Sequence, residues 1–203
     1  MKKYKKLLIF GGTFSPVHNG HLRAMQACCA ATAPDALYVI PTATPPHKVR
    51  HDGATDKERM DMLHLAVGTL HTACPVVVSD IELLRGGASY TVDTLRALHA
   101  RGETDLHLIV GTDMLLSFDR IWRAPDEIAR LASLAVCARE NEDWDALREK
   151  AAALKDSLGA TVELVQGDSL TISSTELRQG GALRCYTPES VADYIEEKHL
   201  YGY

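Results

Sequence analysis

Six short runs rich in Val, Ile and Leu recur along the chain, and stretches of helical periodicity separate most of them. No other feature limits the fold as much. The runs are KLLIF (6–10), ALYVI (36–40), PVVVS (75–79), LHLIV (106–110), SLAVC (133–137) and TVELV (161–165). They mostly lack in–out alternation, as strands buried on both faces of a parallel sheet do. Between them, NGHLRAMQACCAAT begins a helix at Asn19, and TDKERMDMLHLAVGTL sets Met60, Leu63, Val67 and Leu70 on one stripe with Asp56 as its cap. YTVDTLRALHARG starts near Thr91 and stops at Gly102, and EDWDALREKAAALKDSLG ends at Gly159. TPESVADYIEEKHL offers Thr187 as N-cap with Pro188 at the first helical position. Strand alternating with helix predicts the α/β class: a Rossmann-like, doubly wound parallel sheet, one domain over 1–203 with a short helical C-terminal part from about 170. Such sheets bind ligands at the carboxyl ends of their strands, where the connections reverse direction. GGTF follows the first run and GTD the fourth, so both lie at such ends.

The 203 residues suffice for one sizeable core. No run approaches the roughly 18–20 apolar residues that cross a bilayer, so no membrane partner is expected. The opening MKKYKKLLIF is basic and then apolar, but its apolar part ends at Gly11, too soon for a signal peptide. Cys28, Cys29, Cys74, Cys137 and Cys185 are odd in number and contain no CxxC pair. They predict reduced thiols and a cytoplasmic protein, not a disulfide framework or a structural zinc site. With 22 basic and 27 acidic residues the net charge is −5, which argues against a general nucleic-acid binder and leaves any anionic ligand to local groups. No pattern sets the oligomeric state, so a homo-oligomer stays open.

The stretch GGTFSPVHNGH (11–21) concentrates the chemistry. Gly11 and Gly12 let backbone amides approach a ligand, and a helix beginning at Asn19 or Gly20 presents an amino end that favours anions. The dinucleotide fingerprint GxGxxG is absent, and so is the P-loop pattern GxxxxGK[ST]. His18 and His21, three residues apart, can face the same side. They read as a hydrogen-bonded structural pair, as a metal pair, or as phosphate donors. The zinc motif HExxH needs i,i+4 spacing and an intervening Glu, and between His18 and His21 stand only Asn19 and Gly20. The glycine turn and the strand–loop–helix context favour phosphate, whose charge changes during transfer.

The stretch GGTFSPVHNGHL resembles the amino-terminal HxGH signature of the nucleotidyltransferase superfamily, in the form typical of bacterial nicotinate-mononucleotide adenylyltransferases. Ser15 stands where that form usually has Asp. ISSTELR (172–178) is similar to the second signature, ISSTxxR. PPHK (45–48), SDIELLRGGASYTVDTL (79–95) and LIVGTDMLLSFDRIWRAPDEI (108–128) are similar to three further segments of those enzymes, in the same order.

The resemblance implies adenylyl transfer from ATP to nicotinate mononucleotide, a step of NAD synthesis. The attacking phosphate oxygen is already anionic, so no general base or covalent nucleophile is required. Positioning and charge neutralisation govern the rate. The implied catalytic residues are His18, His21, Lys48 and Arg178. Gly11, Gly12, Thr13, Phe14, His18, His21, Gly111, Asp113, Ser173, Ser174, Thr175 and Arg178 are expected around ATP, with Ser173 capping a short helix. Thr13, Lys48, Tyr90, Thr91, Asp113 and Trp122 are expected around the mononucleotide; Trp122 and Tyr90 stack on the pyridine ring or pack in the core. Arg85, His47 and Asp80 are weaker candidates. Mg²⁺ is expected with ATP, bridging its phosphates without a protein cage. Competing readings are a nicotinamide-mononucleotide or pantetheine-phosphate adenylyltransferase, and an inactive nucleotide sensor on the same scaffold.

Overall fold

The computed structural model describes residues 4–45, 53–138, 144–167 and 172–203. In chain order its elements are β1 (Lys6–Gly12), α1 (Asn19–Thr32), β2 (Ala36–Pro41), α2 (Asp56–Val67), β3 (Val76–Val78), α3 (Ile81–Arg85), α4 (Thr91–Ala100) and β4 (Asp105–Gly111). There follow α5 (Thr112–Leu116), α6 (Phe118–Ile121), α7 (Pro125–Leu131), β5 (Ala132–Ala138), α8 (Trp144–Leu158) and β6 (Val162–Gln166). The chain ends with α9 (Ser174–Arg178), α10 (Leu183–Tyr186), α11 (Glu189–Glu197) and a 3-10 turn, Leu200–Gly202.

The six strands form one sheet in the order β3-β2-β1-β4-β5-β6, with every pair parallel. This is the doubly wound Rossmann-like arrangement that the alternation predicts. Period-two geometry explains why the central strands read as continuous apolar runs. Leu7, Ile9, Leu106, Leu108, Val110, Leu134 and Val136 join one cluster with Val92, Leu95 and Leu98 of α4 and Leu147 and Leu154 of α8. Leu8, Val39, Ile109 and Ala135 join the other, with Leu22 and Met25 of α1, Met62 and Leu63 of α2, and Val191 and Ile195 of α11. The edge strand β3 is shorter than PVVVS and only half-buried, because it has a single strand neighbour.

Four local readings change. Gly11 and Gly12 are the last residues of β1, not the start of its loop. Thr55, not Asp56, caps α2: its hydroxyl accepts the Glu58 N–H, and the Glu58 carboxylate returns to the Thr55 N–H at 2.7 Å. The buried face of α2 is Arg59, Met62, Leu63 and Ala66, so the inward stripe is turned by about one residue from the apolar one. Pro188, not Thr187, holds the N-cap position of α11, and Thr187 instead donates its hydroxyl to the Leu183 carbonyl at 2.8 Å. Among the described residues no helix is long and apolar enough to cross a membrane.

Candidate functional site

The two central strands part company before they end. β1 and β4 pair from Lys6 with Asp105 to Ile9 with Leu108. Beyond that point β1 pairs with β2 as far as Gly12, and β4 pairs with β5 as far as Gly111. Each strand therefore runs three residues past the last β1–β4 pair (9 to 12 and 108 to 111). The sheet opens there, at the point where the crossovers change face, and both GGTF and GTD stand at its lips.

The loop from Thr13 to His18 leaves this opening and leads into α1. Its shape is held from outside. The guanidinium of Arg59 donates to the Thr13 carbonyl at 2.7 Å, to the Thr42 carbonyl at 2.6 Å and to Asp56 at 2.7 Å. Arg178 donates to the Ser15 carbonyl at 2.6 Å, and the Ser174 hydroxyl donates to the Pro16 carbonyl at 2.9 Å. Three loop oxygens are thus occupied. The N–H groups of Thr13, Phe14, Ser15 and Val17 make no hydrogen bond to other described residues. A loop of that kind offers donors and few acceptors, as an anion seat requires.

Phe14 takes a left-handed backbone (φ 47) and turns its ring inward, 1 % exposed, edge-on to Phe10 and His21. Only its backbone can meet a phosphate. The ring explains Gly12, where a Cβ would stand 3.0 Å from the Phe14 ring. The two histidine rings stack with centroids 3.7 Å apart. The His18 N–H donates to Nδ1 of His21 at 3.2 Å, so neutral His21 carries its proton on Nε2. His18 is 5 % exposed, its Nδ1 has no partner among the described residues, and burial pushes its pKa down to about 4. The imidazole is therefore neutral at pH 7. Gly20 makes room for it: a Cβ there would lie 3.1 Å from the His18 ring and 3.5 Å from Ile172.

Ser173 caps α9 as expected: its hydroxyl accepts the Glu176 N–H, and Glu176 returns a bond to the Ser173 N–H at 2.7 Å. Ser173 and Thr175 are exposed, and Thr175 accepts from Arg178 at 3.1 Å. The structure brings the first and second signatures together through Ser174 and Arg178. Arg178 has two intramolecular partners, the Ser15 carbonyl and the Thr175 hydroxyl.

Asp113 is exposed in the first turn of α5, whose N-cap position is Gly111. Tyr90, Thr91 and Trp122 are half-buried, and Tyr90 and Trp122 pack against the cluster that includes α4 and α8, whereas Phe14 belongs to the other cluster. Trp122 rests on Phe118 with centroids 5.3 Å apart, and Arg123 lies 4.4 Å over the Tyr90 ring. Arg85 bonds Thr94 at 3.1 Å within a network that includes buried Glu82, and Asp80 stands at the start of α3. Lys48 and His47 lie outside the described residues. Arg59 and Tyr201 escaped the sequence reading. A helical stripe shifted by one position would have exposed Arg59 as an inward residue.

The pattern that defines the cytidylyltransferase-like proteins matches residues 9–180. The chain belongs to that family. It is 35% identical to a probable nicotinate-nucleotide adenylyltransferase of Synechococcus sp. (strain JA-2-3B'a(2-13)), over 98% of each chain. It is 38% identical to a protein of the same name from Roseiflexus sp. (strain RS-1), over 95% of this chain and 96% of that one. Among solved structures, Plasmodium falciparum nicotinic acid mononucleotide adenylyltransferase complexed with NaAD superposes with a TM-score of 0.76. That chain is 16% identical over 97% of each, a likeness of fold. The family pattern therefore covers the sheet opening, the loop and α9 in one piece.

Proposed function

We propose that this chain transfers the adenylyl group of ATP to nicotinate mononucleotide, giving deamido-NAD and pyrophosphate in NAD synthesis. One observation carries the reading: a donor-rich loop with occupied oxygens, set at the amino end of α1 and at the opening between β1 and β4. The names of the full-length relatives supply the acceptor.

An oxygen of the mononucleotide 5′-phosphate attacks the α-phosphorus of ATP. A new P–O bond forms, the bond to the β-phosphate breaks, and its electron pair leaves with pyrophosphate. The attacking oxygen carries its charge at neutral pH, so no residue need remove a proton. The chain's task is to hold two anions in line and to neutralise charge gathering on the leaving group. The amides of Thr13 and Phe14, Nε2–H of His21 and the first turn of α1 take that task in this reading. His18, kept neutral, fixes the ring of His21 by stacking. Ser173, Ser174 and Thr175 at the start of α9 meet the triphosphate, held to the loop by Arg178. Lys48 adds a point charge, and Gly111 and Asp113 border the nucleosides. Tyr90, Thr91 and Trp122 take the pyridine side.

Mg²⁺ enters this reading as the cation of ATP, neutralising phosphate charge. Among the described residues no group of three His, Cys, Asp or Glu is placed to hold a metal. The donors around the loop are N–H and hydroxyl groups, which suit phosphate oxygens better than a hard cation. The fit is to a metal that arrives on the nucleotide.

A coupled pyrophosphate-release assay should show turnover with nicotinate mononucleotide above that with nicotinamide mononucleotide or phosphopantetheine. No turnover of the first, or faster turnover of either other, overturns the assignment.

A further inference from the structure

The last five residues hold an unusual shape for a chain end. α11 stops at Glu197, and the tail then places two non-glycine residues in the left-handed region, His199 (φ 52) and Tyr201 (φ 59). Chain ends order only when something ties them down, and strained backbone persists only where contacts over-determine it. Three ties are present. Leu200 is buried at 7 % exposure in the α1-side cluster. The Tyr203 hydroxyl lies 2.7 Å from the Leu177 carbonyl and 2.6 Å from that of Gly181, beside α9. The Tyr201 hydroxyl lies 3.0 Å from Oγ of Ser15, 186 residues earlier.

The third tie reaches the site. Ser15 is 4 % exposed and sits in the middle of the donor-rich loop, next to Phe14. Its carbonyl is taken by Arg178, so its hydroxyl is a second, separate point of purchase. The Tyr201 ring also lies over Gly53, where a Cβ would come within 2.3 Å of Cδ1. Tyr201 therefore contacts both the loop after β1 and the segment that leads into α2. Burial pushes its pKa up to about 12, which keeps the hydroxyl protonated through the neutral range.

We propose that Tyr201 is a positioning residue for adenylyl transfer, acting through Ser15 to hold the backbone of Thr13, Phe14 and Ser15 where its N–H groups meet the phosphates. Ser15 stands where the resembling signature has Asp. Serine carries no charge, and in this chain its hydroxyl is held by the neutral bond to Tyr201. The inference rests on the adenylyl-transfer reading above.

The test is a double-mutant cycle of Tyr201→Phe and Ser15→Ala in the full chain, with kcat and KM for ATP and nicotinate mononucleotide and with Tm for each variant. Both single variants should lower kcat about tenfold with KM for ATP within about threefold, since misplacement of reacting groups acts on the transition state. The double variant should be no worse than either single one, because each removes the same bond. Ser15→Thr, which keeps the hydroxyl, should recover most of the rate. The Tm of each variant should stay well above the assay temperature. A Tyr201→Phe rate within twofold of wild type, losses that multiply in the double variant, or losses that track Tm would each overturn the proposal. Wild-type protein inert toward nicotinate mononucleotide would overturn the catalytic reading itself, a result visible without any variant.

Discussion

His18 shows how the place of a side chain can be legible in the sequence while its state is not. Its spacing from His21 marks the start of α1, but nothing in the spacing says that the ring is buried and neutral. Burial lowers its pKa from the ordinary 6.5 to about 4. Between those values the unfolded chain carries the proton and the native chain does not, so lowering the pH favours the unfolded state. Stability from this group is complete above pH 6.5 and falls as the pH drops toward 4. The expected loss is about 2 kcal/mol between pH 7 and pH 5, from a shift in which each unit is worth about 1.4 kcal/mol. Urea denaturation of wild type and His18→Gln at the two pH values checks this. The variant should lose markedly less on acidification, and parallel losses would remove the buried neutral ring from the account.

At the scale of elements, the sheet was legible and the anchors were not. Strands buried on both faces announce themselves as apolar runs, and α9 announces itself by Ser173 and Glu176 at capping-box spacing. Arg59 gives no such signal. A charged residue reads as surface, because arginines are almost never fully buried unless paired. Here it is 1 % exposed and its fork spans the ends of β1, β2 and α2 at once. Tyr201 was illegible for another reason: its partner lies 186 residues away, and no periodicity reports on a contact of that range. Arg59→Ala should cost about 2–4 kcal/mol in chemical denaturation, from two carbonyls left without a donor and the cavity opened beside them. Arg59→Lys should recover little of it, because an ammonium cannot reproduce the planar fork. Near-wild-type stability of the alanine variant would show that the carbonyls find other donors cheaply.

At the scale of the whole molecule, topology places the site before any side chain is considered. The order β3-β2-β1-β4-β5-β6 puts the reversal between β1 and β4, and those strands separate after Ile9 and Leu108. Gly111 borders the gap with φ −79, and a Cβ added there would meet nothing within 4 Å. A larger residue is therefore compatible with the fold at the lip of the opening. Gly111→Val should leave stability within about 0.5 kcal/mol of wild type while lowering kcat/KM for ATP about tenfold or more, an effect of ~1.4 kcal/mol. Unchanged kinetics would move the nucleotide away from the β4 lip.

The three anchors on the loop after β1 have one property in common: each ends on an oxygen. Arg59 holds that of Thr13, Arg178 that of Ser15 and Ser174 that of Pro16. Protein backbone ordinarily offers one acceptor oxygen for each N–H donor, and so has little inherent preference for the sign of a guest. Here three of the oxygens are engaged on the inside, and the N–H groups of Thr13, Phe14, Ser15 and Val17 are left over. The segment has been made electrically one-sided without placing a single formal charge in it, and such polarity withstands ionic strength better than a patch of exposed lysines would.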